Sequence, residues 1–240
     1  MSDVLVIAAH PDDVELACAG TVAKLVKAGK SVAIVDLTRG ELGTRGTPEQ
    51  RLAEAAAAAK VLGVTTRENL GLPDGFINSA DLSHRSAVVT AIRKHAPHLL
   101  LYPYPEDRHP DHGACGRLCE EASFLAGLAK IDDGYAPHRP QVKLAFQQAW
   151  EQKTTLIVDV TDTWEQRMEA MRCFRSQFHD PRSTEPETWI ATPEFVEGIE
   201  AKGRNNGFKI GVKYGEAFWH RGPIAVFDLG VFFAPMARHV

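Results

Sequence analysis

Two hydrophobic periods alternate along this chain. Val4–Ala9 (VLVIAA), Ser31–Thr38 (SVAIVDLT) and Leu99–Pro103 (LLLYP) are short, nearly continuous apolar runs, the pattern of strands covered on both faces. Between them the period lengthens to that of a helix. Leu16–Ala28 places small and apolar residues on one side and stops at Gly29, and residues 51–62, 81–95 and 113–126 read the same way. Thr47, Pro48 and Gln50 supply the N-cap, first-turn proline and capping-box partner of the helix through Arg51–Leu62. The alanine-rich face of that helix, Ala53 and Ala55–Ala59, suits close packing on a sheet. His84 and His95 are expected at the surface of the 81–95 helix. The first unit, β-α-β, should be parallel and right-handed.

The second half is less regular. Asn69–Gly75 reads as a short strand and turn, and residues 131–139 as an irregular connection. Val142–Trp150 and Thr155–Val160 read as strands, either a hairpin or a late extension of the sheet. Thr163–Phe178 and Pro193–Asn206 read as amphipathic helices, and Gly211–Trp219 and Ile224–Leu229 as short strands. The expected fold class is α/β: a Rossmann-like, mostly parallel sheet flanked by helices, with a C-terminal α+β extension that wraps the sheet and roofs a site. With no repeat or linker in its 240 residues, one domain over 1–240 is the simplest division.

Composition narrows the partners. The net charge is −4 with 24% charged residues, so there is no basic field for nucleic acid or an anionic membrane. No apolar run approaches the roughly 20 residues that span a bilayer, and no signal-peptide pattern follows Met1, so the expectation is a soluble cytoplasmic protein acting on a small molecule. The four cysteines form no CxxC pair and are expected reduced. The turn after the first strand is His-Pro-Asp-Asp where a dinucleotide fold would carry glycines, which argues against NAD.

That turn is where the chemistry concentrates. His10, Asp12, Asp13 and Glu15 crowd the carboxyl end of the first strand, and Asp107, Arg108, His109, Asp111 and His112 follow the Leu99–Pro103 strand. Asp12 and Asp13 could simply cap a helix. Two His/Asp clusters delivered by parallel strands can instead meet at a switch point of the sheet, and His and carboxylate donors with a free position describe a catalytic rather than a structural metal site. Arg39, Arg45 and Arg51 leave the second strand at the same edge; they offer guanidinium groups to a substrate, or they serve a solvated loop with helix ion pairs such as Arg51 with Glu54.

The motifs Ala9-His10-Pro11-Asp12-Asp13-Val14-Glu15 and His109-Pro110-Asp111-His112 resemble the PIG-L/LmbE family of zinc-dependent N-acetylglucosamine-type deacetylases. The runs Asp36–Gly46, Arg67–Gly71, Arg175–Phe178 and Glu185–Thr188 look like its bacillithiol-biosynthesis branch. The resemblance implies Zn2+ on His10, Asp13 and His112, with Fe2+ or another divalent metal not excluded by the donors. It implies Asp12 as general base, and His109 as partner acid or charged oxyanion stabiliser held by Asp111. Arg51 would contact the substrate, a small-molecule glycoside, N-acetylglucosaminyl malate, cleaved to glucosaminyl malate and acetate; Arg39, Arg45 and Arg51 would meet the malate carboxylates. The same resemblance implies a homo-oligomer, since relatives often form trimers or hexamers. Many carry a Tyr or His near Leu144–Gln147, where Ala145 and Phe146 stand here. The rival readings are a two-His-one-carboxylate iron oxygenase, which usually sits on a β-barrel, and a non-catalytic metabolite-binding module, which would lack a base or a ligand.

Overall fold

The computed structural model describes residues 1–225. A seven-stranded sheet runs through the molecule in the order β3-β2-β1-β4-β5-β7-β6. Its strands are β1 (Val4–Ala8), β2 (Val32–Asp36), β3 (Thr66–Asn69), β4 (Leu99–Pro103), β5 (Val142–Phe146), β6 (Leu156–Asp159) and β7 (Gly215–Trp219). The first five pair in parallel, and β7 is antiparallel to both its neighbours. Since β2 lies on one side of β1 and β4 on the other, the chain reverses its direction of travel across the sheet at β1. That reversal opens a crevice at the carboxyl ends of β1 and β4.

Alternate residues of β1 feed two cores. Val4, Val6 and Ala8 pack with α2 (Ala19–Lys27), α3 (Pro48–Leu62) and α6 (Trp164–Arg172); Leu5, Ile7 and Ala9 pack with α4 (Leu82–His95) and α5 (Pro110–Leu125). Both faces are therefore covered, as the apolar runs require. The capping box of α3 forms as expected, Thr47 accepting from the Gln50 N–H and Gln50 from that of Thr47.

Several expectations need correction. The helix expected over Leu16–Ala28 is two helices, α1 (Asp13–Ala17) and α2, broken at Cys18. The Glu216 carboxylate of β7 fills the break, accepting from the N–H groups of Gly20 and Thr21 and from the Thr21 hydroxyl. The strands β5 and β6 extend the sheet but form no hairpin, because β7 lies between them. The helix begun at Trp164 ends at Arg172 in tight turns through Cys173 and Phe174. The last helix, α7, is longer than expected, Pro193–Ile210. His84 and His95 are buried, His84 accepting the Asn78 N–H and His95 lying 3.4 Å from Glu68. The strand expected over Ile224–Leu229 falls almost wholly outside the described residues. Among those residues no helix is long and apolar enough to cross a membrane.

Candidate metal centre

At the end of β1 the backbone N–H of His10 donates to Asp13 Oδ2 at 2.9 Å, which folds the carboxylate back over the turn. Asp12 stands at the N-cap position of α1 with φ 114°, yet neither it nor Asp13 caps the helix through its side chain. The capping explanation for this acidic pair therefore fails. A left-handed backbone at a residue with a side chain costs on the order of 1–3 kcal/mol and persists only where its surroundings hold it. Here Arg51 does so, with Nη2 3.2 Å from Asp12 Oδ2 and donating to the Pro11 carbonyl at 2.6 Å.

From β4 the chain delivers the second cluster across the crevice. His109 is the N-cap of α5, its Nδ1 accepting the Asp111 N–H at 3.3 Å, and His112 sits in the first turn. The His10, His109 and His112 rings lie 4.7–5.3 Å apart between centroids. Asp13 sits between two of them, its Oδ2 3.5 Å from His10 Nδ1 and its Oδ1 3.1 Å from His112 Nε2. His10, Asp12 and Asp13 are buried, so the centre is shielded on the β1 side.

The far nitrogens of the His10 and His112 rings are each held by a carboxylate. His10 Nε2 lies 3.0 Å from Asp74 Oδ1 and 3.4 Å from Asp111 Oδ2, and His112 Nδ1 lies 2.9 Å from Asp107 Oδ1. That outer ring leaves His10 Nδ1 and His112 Nε2 facing Asp13, the carboxylate–histidine arrangement that orients imidazole toward a metal ion. Two other groupings bring donor atoms within 4.8 Å of one another, His10 with His109 and His112, and His10 with Asp74 and Asp111. The second is already satisfied: Asp74 accepts from the Leu42 N–H, and Asp111 from those of Gly75 and Ile77. The donor chemistry of His10, Asp13 and His112 fits a divalent ion of zinc type.

Electrostatics of the metal-free centre follow from this packing. Burial pushes the Asp12 carboxyl up to about 7 against the pull of Arg51. Burial also opposes ionisation of Asp13, but His112 and hydrogen bonds from both imidazoles hold it well below the usual carboxylate range. Although burial works against its charged form, His112 is raised to about 9 by Asp13 and Asp107, and His10 is raised well above its ordinary value by Asp111, Asp13 and Asp74. His109 moves the other way, through burial and the neighbouring His10 and His112.

Three expected roles change with the geometry. Asp111 does not hold the His109 ring through its carboxylate; that group faces His10 and two backbone N–H groups, and only the Asp111 main chain meets His109. Arg45 turns away from the crevice, its guanidinium bound to the Ser176 and Pro186 carbonyls and the Ser183 hydroxyl. Arg39 is exposed and does not line the cavity beside the centre, whereas Arg51 does. Arg51 makes no pair with Glu54, which binds Ser176 instead. Sequence reasoning assigned no role to Asp74, Asp107, Gln148, Trp189 or Lys202; of these only Asp107, an acid five residues before His112, carried a local signal.

The cavity has a volume of about 840 Å³ and is walled on its outer side by α7, through residues such as Phe195, Ile199 and Lys202, and by Trp189. Arg108, which also lines the cavity, stacks over the Trp189 indole at 4.7 Å.

Residues 5–123 match the model of the PIG-L family, described as GlcNAc-PI de-N-acetylase. The chain is 33% identical over 190 residues to diacetylchitobiose deacetylase of Thermococcus kodakarensis, covering 73% of this chain and 70% of that protein. Among solved structures it is similar to the conserved protein TT1542 from Thermus thermophilus, with TM-score 0.86 and 37% identity over 94% of this chain and 97% of that one. The N,N'-diacetylchitobiose deacetylase from Pyrococcus horikoshii, complexed with its inhibitor MPG, superposes with TM-score 0.79 and 28% identity over 91% of this chain and 83% of that chain. Two His/Asp motifs at one sheet crevice, the matching family model and a relative of this identity and coverage agree: the chain belongs to the PIG-L family of N-deacetylases and is a hydrolase.

Proposed function

We propose that this protein removes the acetyl group from an N-acetylglucosaminyl conjugate, with N-acetylglucosaminyl malate as its substrate. The observation that carries the chemistry is the buried Asp12 carboxylate next in the chain to Asp13, which itself lies between His10 and His112, with the His109 ring 4.8 Å from that of His10. A divalent cation held by His10, Asp13 and His112 would polarise the acetamide carbonyl and lower the pKa of water toward about 7. Asp12 takes the proton of the attacking water, a task suited to a carboxyl raised to about 7 by burial. With Nδ1 accepting the Asp111 N–H, the neutral His109 ring carries its proton on Nε2. It then donates that hydrogen bond to the oxygen on which charge develops, without needing to be charged itself. The proton gathered by Asp12 passes to the amine as the C–N bond breaks.

The malate reading rests on the sequence runs of the bacillithiol branch and on the cations that line the cavity, Arg51, Arg108 and Lys202. Arg51 Nε is buried and has no hydrogen-bond partner among the described residues. A cavity of about 840 Å³ is larger than one acetamido sugar needs and leaves room for an aglycone. Similarity to chitobiose deacetylases favours a second reading, in which the added group is another N-acetylglucosamine.

Acetate release from N-acetylglucosaminyl malate, diacetylchitobiose and free N-acetylglucosamine, measured with zinc-reloaded protein and an Asp12→Asn control, separates these. A preference for the malate conjugate that collapses in the control is the expected result. A preference for chitobiose replaces the substrate, and no release from any of the three rejects both substrate readings and turns the screen to other acetamido sugars.

A further inference from the structure

The segment after β5 reaches two of the residues assigned to the metal. Gln148 Nε2 donates to Asp13 Oδ1 at 2.6 Å, and the Ala149 N–H donates to Asp107 Oδ2 at 3.2 Å. Asp107 in turn holds His112 Nδ1. Behind the segment stands α7, whose Lys202 ammonium donates to the carbonyls of Gln147, at 3.2 Å, and Gln148. The Gln147 side chain is fixed independently, donating to the Gln152 carbonyl and to Thr154 Oγ1. The cavity wall, the β5 loop and the metal ligands are thus joined by direct hydrogen bonds.

We propose that Gln148 is a positioning residue of the metal centre, kept in place by Lys202. The inference rests on the reading that His10, Asp13 and His112 hold the ion. With Oδ2 tied to the His10 N–H and Oδ1 to the Gln148 amide, the Asp13 carboxylate is fixed at both oxygens. Removing the amide leaves Oδ1 only the His112 ring, 3.1 Å away and itself assigned to the ion, so once His112 turns to the metal nothing else orders that oxygen. Outer partners of metal ligands typically account for about 10–100-fold in affinity. Lys202 acts one step further out, through the main chain that carries the amide.

The test is zinc affinity, measured by competition with a chromophoric chelator at fixed pH, together with thermal melting of the metal-stripped protein. Gln148→Met keeps the side-chain length and loses the donor; it should weaken zinc binding about 10-fold or more. Gln148→Asn, whose amide falls one methylene short, should fail in the same direction. Lys202→Met should weaken binding less, and the double variant should bind no more weakly than Gln148→Met, since both act through one contact. The metal-stripped variants should melt as the parent does. Unchanged affinity in Gln148→Met overturns the proposal, as does a loss matched by a lower melting temperature of the metal-stripped protein, which marks a general packing role. An additive double variant removes Lys202 from it. Because zinc binding is the readout, inactivity toward every acetamido sugar would sink the proposed reaction and leave this result standing.

Discussion

Arg51 Nη2 lies 3.2 Å from Asp12 Oδ2, so the residue proposed as base is paired, inside the protein, with a guanidinium that also binds the carbonyl next to it. Arg51 holds Asp12 in its left-handed backbone conformation, and its charge limits how far burial can raise the carboxyl. Without Arg51 the carboxyl rises further above 7, and a base is effective only above its own pKa. Arg51→Met should therefore shift the acidic limb of kcat/KM to higher pH, with Arg51→Lys between it and the parent. Asp12→Asn should lower kcat by about 10²–10⁴-fold while leaving bound zinc unchanged. An acidic limb that stays in place in Arg51→Met would show that Arg51 does not tune the base.

Metal binding should expel protons. In the metal-free protein His112 titrates at about 9 and His10 well above its ordinary value, so both are charged at neutral pH, paired with Asp13, Asp74, Asp107 and Asp111. A histidine raised on folding stabilises the metal-free fold fully below about 6.5, and that contribution fades as pH rises through its folded value. Zinc requires the neutral rings, so its affinity changes in the opposite sense. Zinc should thus raise the melting temperature little at pH 6 and progressively more toward pH 9, with proton release seen by calorimetry in buffers of different ionisation enthalpy. An increment independent of pH would mean that the rings are already neutral.

Arg45 separates a clamp from a substrate contact. Its guanidinium joins the loop after β2 to residues 176–186, and it is 5% exposed. Losing hydrogen bonds of a charged, buried donor typically costs about 1.5–3 kcal/mol. Arg45→Met should lower stability to urea by that order and leave KM for the preferred substrate unchanged. A raised KM at unaltered stability would return Arg45 to the substrate.

The apolar runs made the parallel sheet legible, and the two His/Asp motifs made the crevice legible, because both are local patterns that follow strand ends. What escaped was long-range. Glu216 breaks a helix 196 residues away in sequence, and no periodicity in Leu16–Ala28 could announce it. Asp74 reaches His10 from a turn that reads only as a turn, and Gln148 reaches Asp13 from just past the end of β5, within a run that reads only as strand. Arginines are ambiguous in the same way: Arg39 and Arg45 lie in the loop after β2 and Arg51 in the first turn of α3, and only packing decides that the first is exposed, the second clamps a distant segment and the third faces the crevice. His84 and His95 illustrate the converse, histidines buried in spite of their polarity: His84 accepts the Asn78 N–H, whereas His95 has the Ser2 hydroxyl 3.4 Å from Nδ1 and an Nε2 that lies 3.4 Å from Glu68 with no hydrogen bond among the described residues.

Two glycines in helices test how closely the site is packed. A Cβ on Gly116 of α5 would lie 2.4 Å from the Pro103 carbonyl oxygen and 2.9 Å from Pro105 Cα, while one on Gly198 of α7 would meet nothing within 4 Å among the described residues. Replacing a helical glycine by alanine ordinarily stabilises by roughly 0.5–1 kcal/mol. At Gly116 the obstacles are main chain of the stretch between β4 and Asp107, which cannot swing aside as a side chain could. Overpacking of that kind costs about 1–3 kcal/mol. Gly116→Ala should therefore lose stability in urea titrations and, by displacing Asp107 from His112, weaken zinc binding, whereas Gly198→Ala should gain stability and bind zinc normally. Gly116→Ala matching Gly198→Ala in both measurements would show that the loop can retreat, and that His112 does not depend on how closely α5 lies against it.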